Sequence, residues 1–507
     1  MTNAQQATKA AGVREWSGLA VLALPTLLLS LDITVLHLGV PHISAALEPT
    51  STQLLWIVDI YGFVIAGLLV TMGSLGDRIG RRKLLLIGAV AFGAASVAAA
   101  FSTTAEMLIV SRALMGIAGA TLMPSTLALI SNMFRDGQQR GLAIGIWATM
   151  FSAGIALGPI VGGAMLEHFW WGSVFLLGVP VMILLIAAGP ALLPEFRDAT
   201  AGLPDVPSVL LAIGTMFAVT FGIKEAASHG LTWVAAGSVV LGLMLGVAFV
   251  RRQDRVANPL LDLGLFGNRY FRVALAVLFI STAAVGGIYL FLTQYFQLVA
   301  GRSPLVSGLL LLPAAVALII ASLAAPILAR RFPPGLVVSA ALAISAAGYV
   351  VVAQVDGNAD MPLAVLGFVL VYAGGGPVTA LGTNLVLGAA PPEKAGAASA
   401  LSETSTELGV SLGVAVLGSV GAIIYRLGMS GAPSEQIRET LAGAISQGTP
   451  AIVSDAITAF SNGFNAAAWI CAGLLAFSSL LAALSLGRTR GSGGDTDTPV
   501  GAQITTL

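Results

Sequence analysis

Charge is what this chain has least of. Of its 507 residues, 9% are Asp, Glu, Lys or Arg and 57% are hydrophobic, whereas soluble domains carry about 25% charged residues. A soluble fold has nowhere to hide so much apolar surface. The 24 basic and 24 acidic side chains cancel, so no overall basic field exists to attract nucleic acid, and no nucleic-acid partner is expected. Cysteine is nearly missing. Cys471 stands alone inside an apolar run, which excludes an intrachain disulfide and a thiolate metal cage and reads as a small core hydrophobe. The chain also has no His-Glu-x-x-His pair and no phosphate-binding Gly-rich loop ending in Lys-Ser or Lys-Thr. No metal, no cofactor and no enzymatic activity are therefore expected, and an ATP-driven pump would need a partner subunit. Gly409-Val-Ser411-Leu-Gly413 has the spacing of a hydrolase nucleophile, but that motif needs a strand–turn–helix setting. Here it lies in an apolar run and reads as small-residue packing.

What the chain does have is apolar runs long enough to cross a bilayer, about 20 residues each. Fourteen helices are predicted, at approximately 16–40, 54–76, 84–102, 105–130, 141–165, 172–193, 207–223, 232–250, 270–299, 304–329, 334–353, 362–390, 396–425 and 463–486. The first is too long for a signal-peptide core and has no small-residue cleavage site after it, so it reads as a retained membrane helix. Nineteen of the 24 Lys and Arg residues fall in segments on the side of the two termini. Four (Lys224, Arg302, Arg426 and Arg438) fall on the other side, and Arg112 alone lies within a helix. Basic loops stay in the cytoplasm, so both termini are expected there.

The runs sort into a polar tail 1–15, a six-helix group 16–194, an inserted pair with its linkers 195–268, a second six-helix group 269–486 and a tail 487–507. Residues 325–335 in the second group occupy the place of 73–83 in the first, a weak internal repeat of the kind transporters use. The longest outer loop, about 427–461, holds an amphipathic stretch near 451–460 and no recognisable chemistry.

Three motifs sharpen this picture. Gly73-Ser-Leu-Gly76-Asp77-Arg78-Ile-Gly80-Arg81-Arg82-Lys83 joins predicted helices 2 and 3. Its glycines permit a tight turn, and Asp77 is placed to cap helix 3 and to pair with the arginines. This loop resembles the signature of the major facilitator superfamily. The resemblance implies that Gly73, Asp77, Arg78, Gly80 and Arg81 latch one state of a cytoplasmic gate. In helix 4, Ser111-Arg112-Ala-Leu-Met-Gly116 buries an arginine at a cost of about 2.5–3.5 kcal/mol on insertion scales. Arg112 reads either as structural, paired with a carboxylate or carbonyls, or as the counterpart of the family's proton-linked arginine. In helix 5, Gly154, Gly158, Pro159, Gly162 and Gly163 make a smooth face for a neighbouring helix. The same spacing is similar to the antiporter motif found in the family's exporters.

Acids inside the helices carry the rest. Asp32 in helix 1, Asp59 in helix 2, and Glu403 and Glu407 in helix 13 are functional candidates because an ionisable group in the membrane is costly. Glu403 and Glu407 share a helix face. If all four acids face one cavity they form a descending set of carboxylates able to trade a proton for a cation. Asp32 and Asp59 sit in the outer part of the membrane, where contact with water is the plainer alternative for Asp59. Trp56, Tyr61, Trp147, Met150, Phe151, Tyr289, Gln294 and Tyr372 are candidate lining for a flat cation, although ordinary packing explains each one singly. Trp56 and Tyr61 stand out because they flank Asp59.

Taken together, these segments resemble the fourteen-helix drug/proton antiporter branch of the superfamily over residues 16–486. The resemblance implies an all-α major facilitator fold of two six-helix bundles plus two extra helices. It also implies export of quaternary ammonium compounds, ethidium-like dyes and biguanides, driven by the proton motive force with no cofactor. Asp32, Asp59, Glu403, Glu407 and Arg112 would bind protons or substrate. The expected setting is a monomer in the bilayer of a bacterial inner membrane. Export or flipping of a lipid or endogenous metabolite is the alternative. Two departures stand out: Leu318 replaces an acid that some relatives carry in helix 10, which puts divalent cations in doubt, and His37 stands where many have Asn.

Overall fold

The computed structural model describes residues 11–197, 205–230, 232–256, 259–356, 360–391 and 394–486. Among these residues there is no strand. Fourteen helices are long and apolar enough to cross a membrane: α1 Val13–Leu47, α2 Ser51–Ile79, α3 Arg81–Ala100, α4 Ala105–Met133, α5 Gln138–His168, α6 Ser173–Leu192, α7 Val206–Ala227, α8 Trp233–Gln253, α9 Arg269–Val299, α10 Pro304–Ala329, α11 Pro334–Val352, α12 Met361–Gly388, α13 Ala397–Gly428 and α14 Pro450–Leu486. The number matches the sequence reading, but several ends differ. Pro41 lies inside α1 rather than ending it. The amphipathic stretch near 451–460 is the first part of α14, so the outer loop is shorter than 427–461. It holds two short helices, Glu435–Glu439 and Leu441–Gln447. Residues 1–10 and 487–507 of the two expected tails, with Lys9, Arg488 and Arg490, lie outside the described residues, as do 198–204, 231 and 257–258 of the inserted segment.

Two apolar cores form. One is built almost wholly from α1–α6, around Leu22, Tyr61, Phe92 and Phe134. The other is built from α9–α14, around Tyr295, Tyr349, Phe368 and Phe464. The two groups meet along α2 against α13 and α5 against α10. The inserted helices α7 and α8 pack on each other, and α7 leans on α2 and α13. At the base of this pair, Arg252 forks onto Asp205 with bonds of 2.6 and 2.7 Å, which holds the Asp205 carboxyl well below its usual range. Outward faces such as Trp233, Leu243 and Met244 are exposed, as lipid-facing residues are.

With an even number of spans both chain ends lie on one side, called here the terminal side. The named contacts between the two groups gather at the opposite, distal end. Gly163 lies against Pro304 and Leu305, and Gly308 against Pro159. The Ser51 amide and hydroxyl donate to Glu439 at 2.9 and 2.6 Å, and Gln297 donates to the Leu38 carbonyl at 3.0 Å. A carboxylate at the first turn of α2 meets the positive end of that helix dipole. These contacts hold the two groups together at the distal end.

Candidate functional site

Small residues set the site's position. On α5, a Cβ at Gly154 would collide with Ser30 Oγ and Leu27 O, one at Gly158 with Thr34 Oγ1, and one at Gly162 would come within 2.7 Å of Val35. The glycine spacing therefore presses α5 onto Ser30–Val35, the stretch of α1 that carries Asp32. Pro159 is buried at the α10 crossing. On α13, Gly409 and Gly413 lie against Thr282 and Ala283 of α9, and Ser411 Oγ lies against Gly62. The apparent hydrolase motif is thus a packing seam, as its sequence context implied.

Asp32 reaches across to α4, where its Oδ2 lies 2.5 Å from Arg112 Nη1. Arg112 is 1% exposed. Its Nε donates to the Ile57 carbonyl at 3.4 Å, and the guanidinium lies 4.4 Å above the Tyr61 ring. Asp59 is not near water: it is 2% exposed. Its Oδ1 accepts a 2.8 Å bond from Lys224 Nζ, with both side chains wholly enclosed. This corrects the sequence reading, which ended helix 7 at residue 223 and placed Lys224 in an outer loop. Glu225, Ser228 and His229 follow it and look like a span's end. The available signal was length: a 17-residue helix falls short of the roughly 20 needed to cross, and one more turn brings Lys224 inside.

A small cavity of about 20 Å³ gathers Asp59, Tyr61, Arg112, His37 and Glu407. Asp59 Oδ2, Tyr61 OH and His37 Nδ1 are buried there without hydrogen-bond partners. The His37 ring stands edge-on to Tyr289 at 5.0 Å. Glu407 is 7% exposed, and Glu403 follows one turn toward the terminal side. Neither makes an ion pair among the described residues. The descending row of four carboxylates is therefore divided: Asp32 and Asp59 hold internal cations, while Glu403 and Glu407 do not.

The proposed lining is dispersed. Trp56 lies 3.6 Å from Lys224 Nζ, ring centroid to nitrogen, and stacks on Phe217 at 4.7 Å. Trp147 stacks on Phe151 at 6.4 Å and donates to Thr126, and Met150 beside them is partly exposed. Tyr289 and Tyr372 both pack on Phe368. Gln294 is not central: it lines a distal pocket with Ser51, Glu439 and Phe460, because it lies at the distal end of α9.

The terminal-side loop is folded onto its own bundle. Asp77 takes Arg81 at 2.6 Å and does not cap α3. That part falls to Glu195, which accepts from the Arg82 amide at 3.0 Å. Gly80, at φ +112°, would put a Cβ within 2.6 Å of Glu195, so no other residue fits readily. A Cβ at Gly73 would make only ordinary contact with Pro124, and Arg78 is exposed.

Comparison with known proteins follows the same lines. The chain is 46% identical to the multidrug efflux pump LfrA of Mycolicibacterium smegmatis over 82% of each chain. It is 35% identical to the methyl viologen resistance protein SmvA of Salmonella typhimurium over 80% of this chain and 82% of that one. It is 32% identical to a tetracenomycin C resistance and export protein of Streptomyces glaucescens over 81% and 77%. In fold it is similar to a bacterial homologue of the human lysosomal transporter Spinster, solved inward-facing and unoccupied. That likeness has a TM-score of 0.69 at 15% identity, covering 96% of this chain and all of that one. The Major Facilitator Superfamily model matches residues 22–414. With fourteen spans, the family model over most of the chain and a relative 46% identical over 82% of its length, this chain is a membrane protein belonging to the Major Facilitator Superfamily.

Proposed function

We propose that this chain is a proton-coupled antiporter exporting lipophilic cations, such as quaternary ammonium compounds, ethidium-like dyes and biguanides, across a bacterial inner membrane. The observation that carries the reading is the enclosed meeting of Asp59, Arg112 and Glu407 with Tyr61 and His37. A carboxylate in the membrane interior is neutralised either by a proton or by a cation, and exchange between the two is antiport. Asp32 has Arg112 as a fixed counter-ion, since a guanidinium does not deprotonate. Glu403 and Glu407, without an internal cation, are the groups we infer to trade protons for substrate. The names of the relatives, multidrug efflux and methyl viologen resistance, agree with cationic cargo. Leu318, in place of an acid on α10, favours singly charged over doubly charged cargo here. The proton motive force is the sole energy source in this reading, and the termini lie in the cytoplasm.

Everted vesicles carrying the protein, given a pH gradient, should accumulate ethidium. Collapse of the gradient should release it. Folded protein that moves no dye under any gradient sinks the reading. A second reading, export of an amphiphilic lipid or metabolite, is favoured by one feature. An apolar cavity of about 320 Å³ lies among α2, α7, α8, α9 and α13, lined by Ala66, Met216, Phe249, Phe279, Leu401 and Leu408. Gradient-dependent flopping of a fluorescent lipid without dye transport would establish it instead.

A further inference from the structure

Lys224 has no part in the exchange just described, yet it fills a built site. Its ammonium lies 2.8 Å from Asp59 Oδ1 and 3.6 Å from the centroid of the Trp56 ring. Trp56 and Asp59 are three residues apart on α2, so they present one face. Phe217, two turns before Lys224 on α7, stacks on Trp56 with an interplanar angle of 26°. A carboxylate beside an indole face is the arrangement that attracts an organic ammonium. The other oxygen, Asp59 Oδ2, is buried without a partner, and Asp59 borders the cavity shared with Glu407 and Arg112. One carboxylate thus holds a lysine with one oxygen and keeps the second uncommitted. The lysine comes from the inserted pair, and α7 rests on α2 and α13 outside the two main bundle cores.

We propose that Lys224 is a tethered stand-in for the transported cation. Its ammonium occupies the Asp59–Trp56 site when no cargo is bound, and a lipophilic aromatic or quaternary monocation must displace it to bind there. The proposal rests on the cation-export reading above. A lysine in this place keeps a deeply buried carboxylate compensated while the transporter is empty. It also sets a threshold: cargo must offer more to Trp56 than a primary ammonium does, which selects flat or bulky apolar cations over small hydrated ones. The inserted helices thereby gain a chemical task.

The test uses the full-length protein in nanodiscs with ethidium as probe. In the wild type, Lys224 should resist an amine-acylating reagent without dye and become labelled, by mass spectrometry, as dye saturates. Lys224→Met should bind ethidium at least tenfold more tightly than wild type, and Asp59→Asn with Lys224→Met should lose that gain. Lys224→Arg, whose fork holds a carboxylate at two points, should bind more weakly than wild type. Labelling indifferent to dye, or equal affinities in all folded variants, overturns the proposal even if wild-type transport is intact. Tighter binding by Lys224→Met without gradient-driven dye movement in the wild type would instead support displacement and defeat the antiport reading. Should Lys224→Met fail to fold, the labelling result decides alone.

Discussion

Arg112 and Asp32 form a pair in which neither member tolerates the loss of the other. Arg112 is 1% exposed, and its Asp32 partner is 10% exposed in its side chain. Removing one partner of a buried pair costs about 3–5 kcal/mol because the remaining charge is stranded. Arg112→Met should therefore lower the unfolding temperature sharply in detergent, and adding Asp32→Asn should recover most of the loss without restoring dye transport. Recovery of transport in the double variant would show the pair to be structural only. The single variant Glu403→Gln, which strands no internal cation, should express yet fail to couple dye movement to protons, and a wild-type rate would remove that acid from the mechanism. At this scale the sequence was readable wherever an ionisable side chain interrupts an apolar run. Asp32, Asp59, Arg112, Glu403 and Glu407 are all conspicuous for that reason. Lys224 was not, because Glu225 and His229 just after it imitate a loop. The partners were not legible either, since the pairing of Asp59 with Lys224 spans 165 residues of sequence and depends on how α7 leans on α2.

Among the elements, α5 joins the two halves of the molecule, packing on α1 and on α10. Its glycines at 154, 158 and 162 seat α1, while Gly163 against Pro304 and Leu305, and Pro159 against Gly308, bring α5 onto α10 at the distal end. The spacing of small residues was plain from sequence, as was the prediction of a packing face. Which helix it would meet was not, because a glycine stripe records how near a neighbour comes and nothing of its identity. Gly158→Val should push α1 away and displace Asp32 from Arg112, abolishing transport and lowering thermal stability. Gly308→Leu acts elsewhere: its side chain would strike the Pro159 carbonyl and pry open the distal end. Cys471 is fully buried, so an added cysteine can be followed against a quiet background. Val410→Cys, beside the small cavity, should react slowly with an impermeant thiol reagent applied from the distal side and much faster once Gly308→Leu is added. Equal rates would mean that this contact does not seal the distal end.

For the molecule as a whole, hydropathy alone announced the count of spans and the division into six, two and six, because each run is close to the bilayer thickness. Helix ends were less legible where a proline or a polar turn stayed helical, as at Pro41 and around Pro450. The distribution of charge gains from the structure. Lys224 now lies within the membrane, which leaves Arg302, Arg426 and Arg438 as the basic residues on the distal side. Arg426 is itself engaged by Glu439 at 3.2 Å. On the terminal side lies the loop carrying Arg78, Arg81, Arg82 and Lys83. Basic side chains near span ends are retained in the cytoplasm. In the export reading proposed above, cargo enters from this basic, cytoplasmic side. A protease-cleavable tag on either end should survive protease added to intact cells and be removed in everted vesicles. Removal of either tag from intact cells would reverse the orientation, and with it the inference that cargo enters from the basic side.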